Sequence, residues 1–182
     1  MCNFSPEEKD AIVKDVLKEL RKVTIKITSV DGGEIPKYAC KGDSAFDIYA
    51  TEDFDINPQQ TLVIKTGIRV AVPEGYCLEI RPRSGISKNT PVRVSNAPGT
   101  IDPGYRGEVG ILLTNTSLSG EDKYSIDVRN NPHGIYCIKK GDRIAQGVVS
   151  LAIKAEFEIL SNEEFDKLDS ERGKGGFGST GI

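Results

Sequence analysis

The stretch TLVIKTGIRVAV at residues 61–72, followed by YCLEIR at 76–81 after a Pro-Glu-Gly turn, decides the fold class of this chain. Both runs are rich in β-branched and aliphatic residues, and the turn between them is typical of consecutive β-strands. Similar runs recur from Val23 onward, and the intervals between them are close to the spacing of roughly 8–12 residues between strands in sandwiches and barrels. The sequence therefore predicts an all-β, jelly-roll domain. The other predicted strands lie at 23–28, 46–50, 92–96, 108–114, 124–128, 135–138 and 143–153.

An amphipathic helix is predicted before the first strand, at residues 5–22. Ser5 and Glu8 have the spacing of a capping box, and Pro6 suits the first helical turn. The helix is expected to pack its apolar face on another surface, because its aliphatic side chains recur at helical spacing. These side chains are Ile12, Val13, Val16, Leu17 and Leu20.

The C-terminal part of the chain changes character. Residues 161–168 predict one or two helical turns, with Ser161 or Asn162 as the cap. Residues 172–182, RGKGGFGSTGI, contain five glycines and one aromatic ring. Such a segment buries too little surface to order itself, so it is either disordered or ordered by a ligand. We therefore expect one domain in 182 residues, with a helical extension at 1–22, a β domain at 23–170 and a flexible arm at 171–182.

Composition excludes several classes of protein. With 24 basic and 27 acidic residues, the chain lacks the positive charge needed to coat nucleic acid or an anionic membrane. His133 is the single histidine, which excludes a cage of several imidazoles around a metal. Four widely spaced cysteines suit neither a zinc site nor a disulfide framework. No apolar run reaches the roughly 20 residues of a membrane span, and the acidic N-terminal segment is unlike a targeting peptide, so a cytoplasmic protein is expected.

Five segments combine glycine with charged or hydroxyl residues in the way that a phosphate site requires. Glycine lets backbone N–H groups approach an anion, arginine offers a fork of donors, and serine or threonine adds hydroxyls. Taken singly, each segment is more often an ordinary turn or a flexible tail. The segments are KGDSAFDIYA (41–50), RPRSGIS (81–87), NAPGTIDPGYRG (96–107), KGDRIAQG (140–147) and RGKGGFGSTG (172–181).

Together and in this order, the five segments resemble the five motifs of the trimeric deoxyuridine triphosphatase (dUTPase) family, from about residue 23 to the C-terminus. The resemblance implies a jelly-roll-like subunit, Mg²⁺ dependence, and hydrolysis of dUTP to dUMP and pyrophosphate. It also implies a homotrimer with three active sites at subunit interfaces. Each site would take segments one, two and four from one subunit, the third from a neighbour and the arm from the remaining one.

The first two segments would hold the metal and the phosphates. The resemblance places Asp47 beside a hydrated Mg²⁺ on the triphosphate, which suits an ion that keeps several of its waters. Arg83 and Ser84 match the phosphate-binding pair of the family, and Gly85 permits close backbone approach. The alternatives are a carboxylate at a strand edge and a surface arginine near a turn.

The third segment matches the nucleoside pocket and the hydrolytic carboxylate of the family. Uracil would be read by the Asn96 amide and by backbone groups of a hairpin around Gly99 and Ile101, because a pocket of fixed donors and acceptors rejects a mismatched base. Tyr105 would stack beneath the deoxyribose and exclude a 2′-hydroxyl. Asp102 would be the general base for in-line attack of water on the α-phosphorus; alone, it would be an ordinary turn residue.

The last two segments would complete the phosphate site. Gln146 matches a phosphate-contacting glutamine, whereas Gly141, Asp142 and Arg143 are interpreted as a turn with its supporting ion pair. In the family the arm folds over the bound nucleotide, so that an aromatic ring stacks on uracil and hydroxyl and guanidinium groups hold the γ-phosphate. The matching residues of the arm are Arg172, Phe177, Ser179 and Thr180.

Three features depart from the family pattern. Ser44-Ala45 replaces the usual small pair before the first Asp, and Gly147 stands where a large apolar residue commonly follows the glutamine. Residues 119–134, SGEDKYSIDVRNNPHG, enlarge the connection between the third and fourth segments. Extra loops of this size are often functional, so we expect a hairpin beside the site or a surface for a protein partner.

Two other functions compete with dUTP hydrolysis. The related dCTP deaminases share the Ile-Asp-Pro-Gly sequence, but they carry Trp where Tyr105 stands and a catalytic Glu at the position of Leu112, so the proton shuttle for deamination is missing here. A nucleotide-sensing interaction protein is the second alternative. It would not need a water-activating base such as Asp102.

Overall fold

The computed structural model describes residues 5–20, 22–118, 134–170, 173 and 175. The strand predicted at 124–128 lies outside the described residues. None of the helices in this described part is long and apolar enough to cross a membrane. The elements in chain order are α1 (Pro6–Leu20), β1 (Lys26–Ser29), β2 (Phe46–Tyr49), β3 (Phe54–Ile56), β4 (Thr61–Ala71), β5 (Tyr76–Arg81), α2 (Ser84–Asn89), β6 (Val92–Val94), β7 (Gly99–Ile101), β8 (Glu108–Asn115), β9 (Tyr136–Ile138), β10 (Arg143–Leu151) and α3 (Asn162–Phe165).

Two four-stranded antiparallel sheets form the domain. The first has the order β1-β4-β8-β6, the second has the order β2-β10-β5-β7, and β3 pairs with β9 in a separate ribbon. Alternate residues of the long strands point into a shared core, so that Ile64 and Ile111 of the first sheet and Ile48 and Leu78 of the second are fully buried in one cluster. The predicted jelly-roll-like β fold is confirmed.

Most predicted strands are present, including the three-residue strands β6 and β9, but β3 and β7 were missed. Three-residue strands such as β3 and β7 show no usable alternation in the sequence, so periodicity does not reveal them. The sequence predicts a loop at 81–87, yet the second half of this segment opens α2. Arg83 stands at the N-cap of this helix without a side-chain capping bond, which removes the usual sequence signal for a helix start.

Both predicted helix caps are confirmed. The Ser5 backbone N–H donates to Glu8 Oε2 (2.7 Å), and the Glu8 N–H donates to Ser5 Oγ (3.2 Å). Ser161 and Glu164 form the same reciprocal pair at the start of α3. Ile12, Val13 and Val16 of the expected apolar face of α1 remain 45%, 53% and 52% exposed, so these three side chains are not packed against the sheets.

A bulge in β4 brings the end of the third segment onto the first sheet. The pairing register of β4 with β8 shifts between Lys65 and Arg69, and Gly67 within this bulge has a left-handed φ of 64°. The Gly67 N–H donates to Glu108 Oε1 (2.8 Å). A Cβ at Gly67 would lie 2.5 Å from the Gly33 Cα, so both the dihedral angle and the close approach require glycine.

Candidate active site

A pocket of about 350 Å³ collects three of the five segments. Asp47 enters it from the first segment, Arg83 and Ser84 from the second, and Arg143 and Gln146 from the fourth. The sequence predicts that Asp47, Arg83, Ser84 and Gln146 lie together, and the structure brings them to one surface. Two guanidinium groups at this pocket suit an anionic ligand.

The register of the second sheet explains this convergence. Gln146 on β10 lies opposite Asp47 on β2 and opposite Arg81 on β5, so the three side chains share a row across the strands. Gln146 Nε2 donates to the Pro82 carbonyl (2.9 Å), which ties the fourth segment to the start of the second. The polypeptide then turns into α2 at Ser84, and this turn brings Ser84 to the pocket, with Gly85 next in the helix.

Asp47 is the electrostatic centre of the pocket. Its carboxylate accepts hydrogen bonds from Arg83 Nε (2.7 Å) and Arg143 Nη1 (3.3 Å) and is only 12% exposed. The interpretation of Arg143 as a turn residue was incomplete, because its ion pair reaches across to β2. Gly141 and Asp142 form the predicted turn, in which the Lys139 N–H donates to Asp142 Oδ2 (2.8 Å).

Two titratable groups near the pocket have shifted pKa values. Burial, followed by the nearby negative charges of Glu34 and Asp47, raises the pKa of Tyr49. Hydrogen bonds from Arg81 and then from Ser150 lower the pKa of Glu79. Both shifts favour the form that each group already takes at neutral pH, the neutral phenol of Tyr49 and the ionised carboxylate of Glu79.

The donor set at Asp47 fits a hydrated magnesium ion better than a directly coordinated one. Within the described residues, no group of three or more His, Cys, Asp or Glu side chains could hold a metal. Magnesium commonly keeps several waters and takes one or two carboxylates together with substrate phosphates. A single carboxylate beside two arginines meets this requirement only when a polyphosphate brings the remaining oxygen ligands.

The third segment lies apart from this pocket within one chain. Phe46, Gly147, Ile80 and Gly99 form one register row across the four strands of the second sheet. Three strand spacings of about 4.8 Å place Gly99 about 14 Å from Phe46 on β2. Because β7 runs antiparallel to β5, Asp102 at its end continues away from the Arg83 end of β5. The predicted hairpin is wrong, because β7 pairs with β5 and the following turn crosses to β8 in the other sheet.

Close contacts fix the side chains of the third segment locally. A Cβ at Gly99 would lie 3.2 Å from Asn96 Nδ2, so glycine leaves room for the amide. The Tyr105 hydroxyl donates to the Glu108 carbonyl (2.7 Å), while its side chain stays 43% exposed. The Tyr105 N–H donates to the Asp102 carbonyl (3.1 Å) and closes a tight turn. Ile101 is half-buried.

Gly147 is compensated by an aromatic neighbour. A Cβ at this position would lie 2.6 Å from Phe46 Cζ and 3.1 Å from Leu78 Cδ1. The Phe46 ring therefore occupies the space of the large apolar side chain that commonly follows the glutamine, and the departure leaves no gap.

Arg172, Phe177, Ser179 and Thr180 lie outside the described residues, as do 119–133 of the insert. The residues that flank the insert on both sides are described. Asn115 Nδ2 and Ser117 Oγ both donate to the Gly134 carbonyl, at 2.7 and 2.6 Å.

Comparisons with known proteins agree with the geometry. A profile of the family described as dUTPase matches residues 31–181. The deoxyuridine 5′-triphosphate nucleotidohydrolase of Helicobacter pylori strain P12 is 43% identical over 148 residues, which cover 81% of this chain and 89% of that protein. The Thermobifida fusca protein of the same name is 38% identical over 173 residues, which cover 94% of this chain and 86% of that protein.

Solved structures show the same similarity. The dUTPase of Staphylococcus bacteriophage 80alpha with dUPNHPP superposes with a TM-score of 0.76 at 32% identity and covers 88% of this chain and 100% of that one. A mutant dUTPase of S. aureus phage phi11, described with a structural Mg(II) ion, gives a TM-score of 0.67 at 28% identity, covering 79% of this chain and 100% of that chain. With its fold, its pocket and these relatives in agreement, the chain belongs to the dUTPase family of enzymes.

Proposed function

We propose that this enzyme hydrolyses dUTP to dUMP and pyrophosphate, which limits uracil in DNA and supplies dUMP for dTTP synthesis. The observation that carries the proposal is the pocket in which Asp47, Arg83, Ser84 and Gln146 meet. A triphosphate offers the charge that these guanidinium, hydroxyl and amide donors recognise. The third segment supplies the groups that would choose the base and the sugar.

Arg83 would take the phosphate oxygens when the nucleotide enters. Its side chain is 23% exposed and already lies in the pocket, so the guanidinium needs only to exchange one anionic partner for another. Ser84 and Gly85 begin α2 and would add a hydroxyl and backbone N–H groups. Gln146 would contribute its amide from the anchored position beside Pro82.

The nucleoside would be selected by the third segment of a neighbouring subunit. Asn96 and the backbone at Gly99 and Ile101 would pair with the uracil edge, since buried donors and acceptors discriminate strongly against a mismatched base. The Tyr105 ring, held through its hydroxyl, would lie beneath the deoxyribose and leave no space for a 2′-hydroxyl. Arg172, Phe177, Ser179 and Thr180 of the arm would cover the nucleotide.

Asp102 would act as the general base. It would accept a proton from water while the water oxygen bonds to the α-phosphorus in line. The bond from the α-phosphorus to the bridging oxygen then breaks, and pyrophosphate leaves with the electron pair. When bound, Mg²⁺ would neutralise charge on the triphosphate, with Asp47 holding it through water.

A homotrimer would explain why one chain separates Asp102 from the phosphate pocket. A second observation supports association: residues 153–159, IKAEFEI, alternate apolar and charged side chains like a half-buried strand. Yet Ile153, Phe157 and Ile159 are each at least 90% exposed in the single chain. Such a row normally finds a partner. The cytoplasmic location stays a prediction.

The deciding experiment measures pyrophosphate release from dUTP, dCTP, dTTP and UTP with Mg²⁺, together with ammonia release from dCTP. We expect turnover of dUTP alone and no ammonia. The Asp102→Asn variant should bind a non-hydrolysable dUTP analogue normally and turn over at least about a hundredfold more slowly. Ammonia from dCTP would indicate a deaminase, and nucleotide binding without any turnover would indicate a sensor. Normal turnover by Asp102→Asn would remove the assignment of the base.

A further inference from the structure

The Asp102 carboxylate depends on its backbone for its position. No hydrogen bond within the described part of the chain involves this carboxylate, although the Asp102 carbonyl closes the turn with Tyr105. The turn spans the gap between β7 in one sheet and β8 in the other. The contacts that hold this turn in place therefore also determine the position of the Asp102 carboxylate.

Arg106 supports this turn from its carbonyl side. Its Nη1 donates to the Pro103 carbonyl (2.5 Å) and to the Tyr105 carbonyl (2.7 Å). One guanidinium therefore bonds to the first and the last residue of the three-residue segment that follows Asp102. Hydrogen bonds from a charged donor are stronger than neutral ones. They hold the two carbonyls on one side of the turn.

Arg69 supports Arg106 in turn. Its Nε donates to the Arg106 carbonyl (2.7 Å) from β4, and its Cα pairs with that of Glu108 at the far end of the bulge. Tyr105 and Glu108 close the same corner through the Tyr105 hydroxyl. The turn that carries Asp102 is thus attached to the first sheet, while the strand before it belongs to the second.

We propose that Arg106, supported by Arg69, is a positioning residue for Asp102, acting through the backbone of the turn and not by touching the substrate. The inference rests on the proposed dUTP hydrolysis. A misplacement of about 1 Å in a reacting group can cost about a hundredfold in rate, so loss of this support should lower kcat more than it raises KM. Neither arginine lines the phosphate pocket of its own chain.

Arg93 provides a matched control. Its Nη1 donates to the carbonyls of Thr90 (2.7 Å) and Val92 (2.8 Å), which stand three residues and one residue before it. Arg106 contacts the carbonyls three residues and one residue before it in the same way. The two arginines therefore make the same local contacts, but only Arg106 makes them on the turn that carries Asp102.

The experiment compares steady-state kinetics of Arg106→Met, Arg106→Lys, Arg69→Met and Arg93→Met with melting temperatures. We expect Arg106→Met to lower kcat by about 10- to 100-fold with KM changed less than about threefold. Arg69→Met should lower kcat less, Arg106→Lys should recover part of the loss, and Arg93→Met should leave kcat unchanged. Arg106→Met and Arg93→Met should shift the melting temperature similarly.

Three results would overturn the inference while the wild-type protein still hydrolyses dUTP. One is unchanged kcat in Arg106→Met. Another is a rise in KM for dUTP larger than the fall in kcat, which would make Arg106 a substrate contact. The third is an equal loss of kcat in Arg93→Met, which would indicate general destabilisation. Failure of the wild-type protein to release pyrophosphate would instead remove the proposed function itself.

Discussion

Asp47 and Arg83 form an ion pair of 2.7 Å in the pocket that we propose binds phosphate, and Arg143 adds a longer contact of 3.3 Å to the same carboxylate. Without a ligand, the carboxylate proposed to hold the metal and the guanidinium proposed to bind phosphate therefore neutralise each other. A polyphosphate entering without a cation would meet the Asp47 charge directly. A polyphosphate carrying Mg²⁺ would offer each partner its own counter-charge.

Asp47→Asn should reduce the dependence of nucleotide binding on magnesium. In the wild-type protein, Mg²⁺ should strengthen binding of a non-hydrolysable dUTP analogue, because the ion separates the carboxylate from the phosphates. In Asp47→Asn, binding without metal should be several-fold tighter than in the wild type, since the repulsion is gone and both arginines remain. Titration calorimetry with Mg²⁺ or with a chelator measures this difference.

Asp43→Asn is the control for loss of charge at the same pocket. Asp43 Oδ2 accepts the Cys40 N–H (2.7 Å), and among the described residues Asp43 forms no ion pair with Arg83 or Arg143. Its removal should leave the response to Mg²⁺ intact. An Asp47→Asn protein whose affinity still rises with Mg²⁺ as in the wild type would contradict the role of Asp47.

Gly147→Leu should destabilise the fold, because Phe46 already fills the space beside it. A Cβ would lie 2.6 Å from Phe46 Cζ, and overpacking of this kind typically costs about 1–3 kcal/mol. Phe46→Ala alone should also destabilise, by about 2 kcal/mol or more, through loss of packing. The double variant should be more stable than the sum of the two changes predicts, by about 1 kcal/mol. Urea denaturation at one protein concentration measures the cycle, and strict additivity would show that the residues do not compensate.

The long strands could be predicted from the sequence because their burial alternates along the chain. In β8, every second residue from Val109 to Asn115 is buried, and the same period is visible in the sequence. β7 has three residues, and its place in the sheet depends on pairing with Ile80, which lies about 20 residues earlier in the chain. The local sequence pattern of β7 does not indicate that Ile80 is its pairing partner.

The candidate site was predicted as a set of residues, but not its arrangement. Matching the five segments identified Asp47, Arg83 and Gln146, which the structure brings to one pocket. The Arg143 contact with Asp47 joins residues 96 positions apart and follows from the register of β10 on β2, which no local spacing reveals. The contacts of Arg106 with the turn that carries Asp102 were not predicted either. The sequence of a turn does not show which side chains donate hydrogen bonds to its carbonyls.

Removal of the insert should leave the fold stable. The two ends of the insert are held together, because the fully buried Asn115 donates to the carbonyls of Ile56 (2.8 Å) and Gly134 (2.7 Å) and accepts from the Ser117 N–H. Replacing 119–133 by two glycines should therefore change the free energy of unfolding by less than about 1 kcal/mol. Asn115→Ala should cost more than about 2 kcal/mol, because it leaves several buried polar groups unpaired.

Denaturation of both variants measures the comparison. If the deletion lowers the free energy of unfolding as much as Asn115→Ala does, the hydrogen bonds of Asn115 do not isolate the insert from the core. Kinetics and partner capture with the same deletion variant test the separate hypothesis that the insert forms part of the site or a surface for a protein partner. Unchanged results in both would remove that hypothesis.

Glu79 should contribute to the acid sensitivity of the fold. Arg81 and Ser150 hold the pKa of Glu79 below its usual value of 4.5, so folding favours the ionised form. Its contribution is present above the usual pKa and is lost as pH falls through the lowered one. The melting temperature of Glu79→Gln should therefore lie below that of the wild type at neutral pH, and the gap should narrow toward pH values below about 4. A gap that stays constant with pH would assign the effect to packing.

Phe157→Asp should prevent association of the subunits and abolish activity together. Phe157 is 90% exposed and lies between Ile153 and Ile159 on the apolar side of the segment, so a charge there would be buried only if another copy covers this row. The charged side of the segment offers the control, because Glu156→Gln changes the net charge without adding an apolar or buried group. Light scattering should show trimers for the wild type and Glu156→Gln and monomers for Phe157→Asp. Since β7 runs antiparallel to β5 and carries Asp102 away from the Arg83 end of that strand, the monomer should bind polyphosphate weakly and hydrolyse no dUTP. An active monomer would show that a single subunit assembles the whole site.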